Sequence, residues 1–301
     1  MRIFSAIGQV AVFEWSSAIK SRRALVIILL YLVAAVSCMN GTISLLGKME
    51  TELKTVLQLP ASSETGIVSE ALWKSKPFQR MVSKSVGNGA AYDDLAKRHP
   101  VELLYAWFVF MCAPLLVMLV SSTRAADDLK SGAVRYLIVR VSRGEWTLGK
   151  YAGQAMMLAI ALLVSALGAW IVTLCRLPGA TAVRLLTPLL GWGMKAWIYT
   201  LAWLGLALGI SHMTRSPARA TAFGIIAVAL FTALPALFDA LHTHAHWPAA
   251  LTHIRMLVPR GAEMKLWRTA AAPFTAGVFH LLILSFTYLS LGAATFARRD
   301  A

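Results

Sequence analysis

Charge is the first thing this chain lacks. Asp, Glu, Lys and Arg make up 14% of its 301 residues, where a soluble domain carries about 25%. Acidic groups are scarcer still, 14 against 29 basic ones. There are three cysteines, Cys38, Cys112 and Cys175, each within or at the end of an apolar run. No C-x-x-C spacing occurs, so neither a disulfide framework nor a zinc site is suggested. Gly47-Lys48 and Gly149-Lys150 lack the remainder of G-x-x-x-x-G-K-[ST], so no P-loop is present to cradle ATP phosphates. H-E-x-x-H and G-x-S-x-G are absent too, and no nucleophile–base pair supports an intramembrane enzyme. No small-residue cleavage site follows the first apolar run, which reads as a retained span.

The apolar runs are themselves nearly free of titratable groups. Lys195 and Asp239 lie near the ends of theirs, and His280 is the other candidate at depth. Ion-coupled pumps relay protons or hold ions with buried ionisable groups, and broken helices mark their midplane sites. Neither signal is evident, so any energy for transport must come from outside the spans.

What is present is hydrophobicity, 58% of the chain, gathered in runs of about 20 residues that match a hydrocarbon core of roughly 30 Å. Six spans are expected: Ala24–Leu46, Leu103–Ser121, Gly153–Cys175, Leu189–Met213, Ala220–Leu241 and Pro273–Ala294. The fold class is all-α, a polytopic membrane protein with both termini on one side. Basic clusters abut the outer spans (Lys20, Arg22, Arg23; Arg298, Arg299) and favour cytoplasmic termini. The net charge of +15 implies contact with anionic headgroups. No basic soluble domain exists to bind nucleic acid.

Two regions divide the chain: an elbow helix over 1–23 and a six-span body over 24–301, the latter with an extracytoplasmic cap inserted over 47–101 and a cytoplasmic loop over 122–152. Two helical stretches are expected in the cap, Gly47–Leu59 and Ser69–Ser85. In the leader, at about 100° per residue, Ile3, Phe4, Ile7, Val10, Ala11, Trp15 and Ala18 share one face. That predicts an interfacial helix in the membrane plane. Glu14 interrupts its apolar face. The carboxylate must snorkel to the headgroups or meet a cation, an arginine of the Arg124–Arg143 stretch being the candidate. The tryptophans fall near predicted interfaces and read as an aromatic belt. His242, His244 and His246 are weak metal candidates; a polar helix end is the plainer expectation.

The loop is too elaborate for a connector. Asp127 and Asp128 suit a helix N-terminus. Val134, Leu137 and Ile138 line up on one side of a short amphipathic helix, away from Lys130 and Arg135. A break follows at Val141-Ser142. Ser142 and Glu145 then form a capping box, starting a helix that runs through Lys150 into the third span.

At these residues the chain resembles permeases of the type-2 ABC exporter class. Asp128-x-x-Ser131-Gly132, the apolar stretch to Val139, Val141-Ser142-Arg143 and Leu148-Gly149-Lys150 carry the likeness. The leader with Glu14 and its basic elbow resembles that family's elbow helix. Leu257-Val258-Pro259-Arg260 resembles its re-entrant region, and Phe296–Asp300 its tail. Ala133 departs from the family's threonine, and the acidic lead-in is Asp-Asp rather than Glu-rich.

The resemblance implies a permease subunit in a bacterial inner membrane with no ATPase site of its own. It would work as a homodimer or as a pair of related permeases. It would bind no cofactor, with ATP and Mg held by a separate cytoplasmic ATP-binding subunit. Elbow and loop would rest on that subunit through Glu14, Asp127, Asp128, Ser131, Gly132, Arg135, Arg140, Ser142, Arg143 and Lys150. Arg135, Arg140 and Arg143 are candidates for the ATPase contact or for pairing with Glu14. A non-transporting scaffold, sensor or mechanotransmission subunit acting on an extracytoplasmic partner is the competing expectation.

Overall fold

A computed structural model describes residues 2–20, 22–56, 95, 98–137, 139–177, 179–245 and 255–298. Among these residues every regular element is a helix. In chain order they are α1 (Arg2–Lys20), α2 (Arg22–Val56), α3 (Pro100–Ser121), α4 (Arg124–Ser131), α5 (Ala133–Leu137), α6 (Arg143–Arg176), α7 (Gly179–Met213), α8 (Pro217–Ala245), α9 (Pro259–Leu266) and α10 (Ala271–Ala297). Six of them, α2, α3, α6, α7, α8 and α10, are long and apolar enough to cross a membrane. The six expected spans fall on these six helices, most of which extend several residues further at one or both ends.

Local chemistry sets several of the helix ends. His99 caps α3, its Nδ1 accepting from the Val101 amide at 3.3 Å, and Pro100 follows where its missing N–H is harmless. Acceptance requires an unprotonated Nδ1, and burial holds the His99 pKa below its ordinary value. The capping box at the start of α6 is complete. Ser142 Oγ accepts from Glu145 N at 3.3 Å, and Glu145 Oε2 accepts from Ser142 N at 2.8 Å.

Span α7 is the most buried of the six and packs against α10, α6, α3 and α8. Lipid tails give helices little hydrophobic reason to associate, so close packing of small residues must serve. Gly209 of α7 accordingly lies directly against Gly292 of α10. Tyr105, Val109, Leu158, Leu162, Leu189, Trp203 and Leu208 fill the core between α3, α6 and α7. At the far end of the bundle α9 rests on α10. Tyr288 Oη and His280 Nε2 of α10 also meet the carbonyls of Leu257 and Met256, in the turn before α9.

Four expectations change. The amphipathic face of α1 turns to protein rather than lipid: Ala11 and Ala18 are buried, while Val12, Phe13 and Ile19 are exposed. The cause lies in α6, where Gly149 and Gly153 bring its backbone against Val10, Ala11 and Glu14. The loop holds two short helices rather than one, because Gly132 adopts φ 74° and stops α4. Trp146, Trp192, Trp203 and Trp267 pack inside the bundle instead of forming a belt. Helix α2 runs unbroken to Val56; the second cap helix, Ser69–Ser85, lies outside the described residues. So do His246 and the side chains of His242 and His244.

Candidate functional site

The first turns of α6 carry Thr147, Lys150, Tyr151 and Gln154. The spacing i, i+3, i+4, i+7 puts all four on one face. All four are buried, so this strip must find partners inside the protein, and each residue does. Lys150 is the centre. Its Nζ lies 2.8 Å from Glu14 Oε2 of α1 and 2.8 Å from Asp128 Oδ2 of α4. It also donates to the Arg124 carbonyl at 3.2 Å. The ammonium thus makes two hydrogen bonds, to Glu14 and the Arg124 carbonyl, and an ion pair with Asp128. The same Nζ sits 5.3 Å above the Trp146 ring.

Glu14 is satisfied as fully. Gln154 Nε2 donates to its Oε1 at 2.8 Å, and Arg124 Nε stands 3.9 Å away. Gln154 Oε1 in turn accepts from Ser121 Oγ at the end of α3, at 3.0 Å. Two carboxylates thus face two cations. The Glu14 and Lys150 side chains are 5% and 3% exposed, whereas Asp128 keeps 28%. Removing such ions from water is expensive unless every group is paired, and here the pairing is complete. Snorkelling by Glu14 is therefore overturned. Its main partner is Lys150, with Arg124 the arginine that approaches it.

Tyr151 Oη meets Ser285 Oγ of α10 at 2.8 Å, and Ser285 Oγ donates to the Leu201 carbonyl of α7 at 2.6 Å. Arg143 does not reach Glu14. Its guanidinium donates to the carbonyls of Phe296 and Ala297 at 3.2 and 2.8 Å and lies 5.2 Å over the Phe296 ring. A cation on the last carbonyls of α10 complements that helix's dipole.

The rest of the loop faces outward. Val134 is buried against Ala125, Trp146 and Phe296, which seats α5 on a small apolar cluster. On its other side Tyr136 is 82% and Val139 84% exposed, and Arg135 and Arg140 are exposed beside them. Arg135 and Arg140 are therefore surface groups, not partners of Glu14. Asp127 stands exposed in the first turn of α4. Ser131 closes the turn at Gly132, its hydroxyl donating to the Asp128 carbonyl at 3.2 Å.

The fold brings Glu14, Asp128 and Lys150 together and leaves Arg135, Arg140 and Arg143 apart from them. Sequence reasoning missed Gln154, Ser121, Ser211 and His212. The period of the polar strip on α6 was the signal that could have found Gln154. Groups with charge also lie at the far end. Glu102 is 3% exposed, accepts from Trp192 Nε1 at 2.8 Å and pairs with Arg98 at 3.2 Å. Burial pushes Glu263 of α9 up to about 7, against the opposing pull of Arg260 4.0 Å away. Among the described residues no group of three or more His, Cys, Asp or Glu could hold a metal ion.

A family model described as ABC-2 family transporter protein matches residues 9–301. The chain belongs to the ABC-2 transporter family. The match takes in most of the elbow, the loop and all six spans, so the likeness at Asp128–Lys150 extends over nearly the whole chain. ABC-2 membrane proteins are multi-span transport components that normally work with a nucleotide-binding ATPase subunit. No curated protein matches the sequence.

Proposed function

We propose that this ABC-2 chain is the permease subunit of an ATP-driven exporter, and that α5 with its flanks is the surface its ATPase grips. One observation carries this. Tyr136 and Val139 are more than four-fifths exposed, yet Val134 seats their segment on an apolar cluster with Trp146 and Phe296, and the preceding α4 is tied by an ion cluster to α1 and α6. Large apolar side chains left in water mark contact sites, and a rigid base allows a push there to reach the spans. Arg135 and Arg140 add charge to the rim of that contact. ATP and Mg belong to the partner subunit. Two copies of this chain, or this chain and a related permease, complete the path. The termini and the loop face the cytoplasm of a bacterial cell, and the membrane is the inner one.

The test is charge reversal. Arg135→Glu and Arg140→Glu in the reconstituted complex should lower ATP hydrolysis by the attached ATPase, while membrane insertion and the thermal midpoint of the permease stay unchanged. Unaltered hydrolysis in the double variant would count against the contact.

A further inference from the structure

Helix α4 begins without help from its own N-cap residue, since the Thr123 side chain makes no capping bond. Another span serves its first amides. Ala125 N and Ala126 N both donate to Ser211 Oγ of α7, each at 3.0 Å. Ser211 is wholly buried, and so is His212 beside it. His212 Nδ1 lies 2.6 Å from the Leu208 carbonyl, an acceptor, so the ring proton sits on Nδ1. Nε2 is left to accept from Thr147 Oγ1 of α6 at 3.2 Å. The ring stands edge-on to Trp146 at 5.3 Å and tilts steeply against Phe296 at 5.7 Å. Two consecutive side chains at the end of α7 therefore hold the starts of α4 and α6.

Two of the loop's polar attachments lead to different spans. Asp128 ties α4 to α6 through Lys150. Ser211 ties the same short helix to α7, the span with the broadest packing in the bundle. We propose that Ser211 and His212 are the seat through which displacement of the α4–α5 loop enters α7, making them positioning residues for the coupling of ATP use to span movement. The inference rests on the permease reading above. An N-terminal turn whose amides are bonded to one buried hydroxyl cannot shift without moving that hydroxyl or leaving it unpaired. Unpaired buried groups are disfavoured, so the helix end and α7 move together. Without the hydroxyl the polar bond from α4 to α7 is lost, while the attachment to α6 through Lys150 remains.

Hydrogen–deuterium exchange on the intact permease–ATPase complex tests this. Exchange is compared without nucleotide and after trapping with ATP and vanadate. In the parent, trapping should change exchange over both 125–137 and 179–213. In Ser211→Ala/His212→Leu the change over 125–137 should persist and the change over 179–213 should be lost. Ser211→Thr, which keeps the hydroxyl, should restore it. A merely structural defect would instead alter exchange over 179–213 before nucleotide is added. The single Ser211→Ala variant, expected to lose part of the α7 response, stands in if the double variant does not assemble. An undiminished α7 response in Ser211→Ala overturns the proposal while sparing the permease reading. A parent that shows no response over 125–137 overturns both.

Discussion

Replacing Lys150 by methionine removes the cation that Glu14 and Asp128 share. Its Nζ lies 2.8 Å from each carboxylate oxygen. At an effective dielectric of about 20, two unit charges at that separation attract by roughly 6 kcal/mol. Most of that attraction offsets the desolvation of the ions, so the pair's net contribution is small. The loss on breaking it is not. Lys150→Met leaves Glu14 buried with Gln154 and a guanidinium at 3.9 Å, and stranding a buried charge costs about 3–5 kcal/mol. Asp128, partly open to solvent, adds less. Lys150→Met should therefore lower the thermal midpoint of the purified permease strongly. Glu14→Gln in the same chain should recover most of the loss, because a neutral amide no longer needs the ammonium. Thermal unfolding of the two single variants and the double variant gives the coupling energy. If Lys150→Met melts with the parent, or if the double variant falls by the sum of the singles, the cluster does not hold elbow and loop together.

Three further outcomes follow from other parts of the molecule. Gly153→Leu should push α1 off α6, since even a Cβ there would lie 2.8 Å from the Ala11 carbonyl and 3.0 Å from Glu14 Cβ. A loss of about 1–3 kcal/mol and faster proteolysis within residues 2–20 are the readouts. Ser142→Ala removes one half of the α6 capping box and should cost about 1 kcal/mol in a melting experiment. Glu263 gives a pH dependence. Its folded pKa of about 7 stands above the ordinary 4.5, so the native state binds the extra proton between those values. Its contribution is fully present below pH 4.5 and lost as pH rises through 7, at most about 3 kcal/mol. Thermal midpoints taken from pH 5 to pH 8 should fall more steeply for the parent than for Glu263→Gln.

The six spans were legible because run length and charge depletion are one-dimensional signals, set by the thickness of the membrane. The capping box was legible for the same reason, both partners lying within four residues. Glu14 is anomalous on a helical wheel, and Arg124 lies in the stretch expected to meet it, but its nearer partner, Lys150, does not. Which cation it meets depends on how α1 crosses α6, and that crossing is set by Gly149 and Gly153. A Gly-x-x-x-Gly face was in the sequence, and it could have been read as a docking stripe. The helix break at Gly132 was missed because a glycine inside an amphipathic pattern is ordinarily tolerated. Ser211 and His212 had no local signature at all. A hydroxyl that caps a helix 85 residues away in the chain belongs to tertiary structure alone.

The central claim is that the exposed rim of α5 meets an ATP-binding subunit. A photo-crosslinking residue in place of Tyr136, 82% exposed, tests it in membranes of the native host. The account predicts a covalent product whose partner peptides include a P-loop, with no such product when the same residue replaces buried Val134. A Tyr136 product that contains only lipid or a second copy of this chain, from membranes in which a P-loop subunit still co-purifies with the permease, would contradict it.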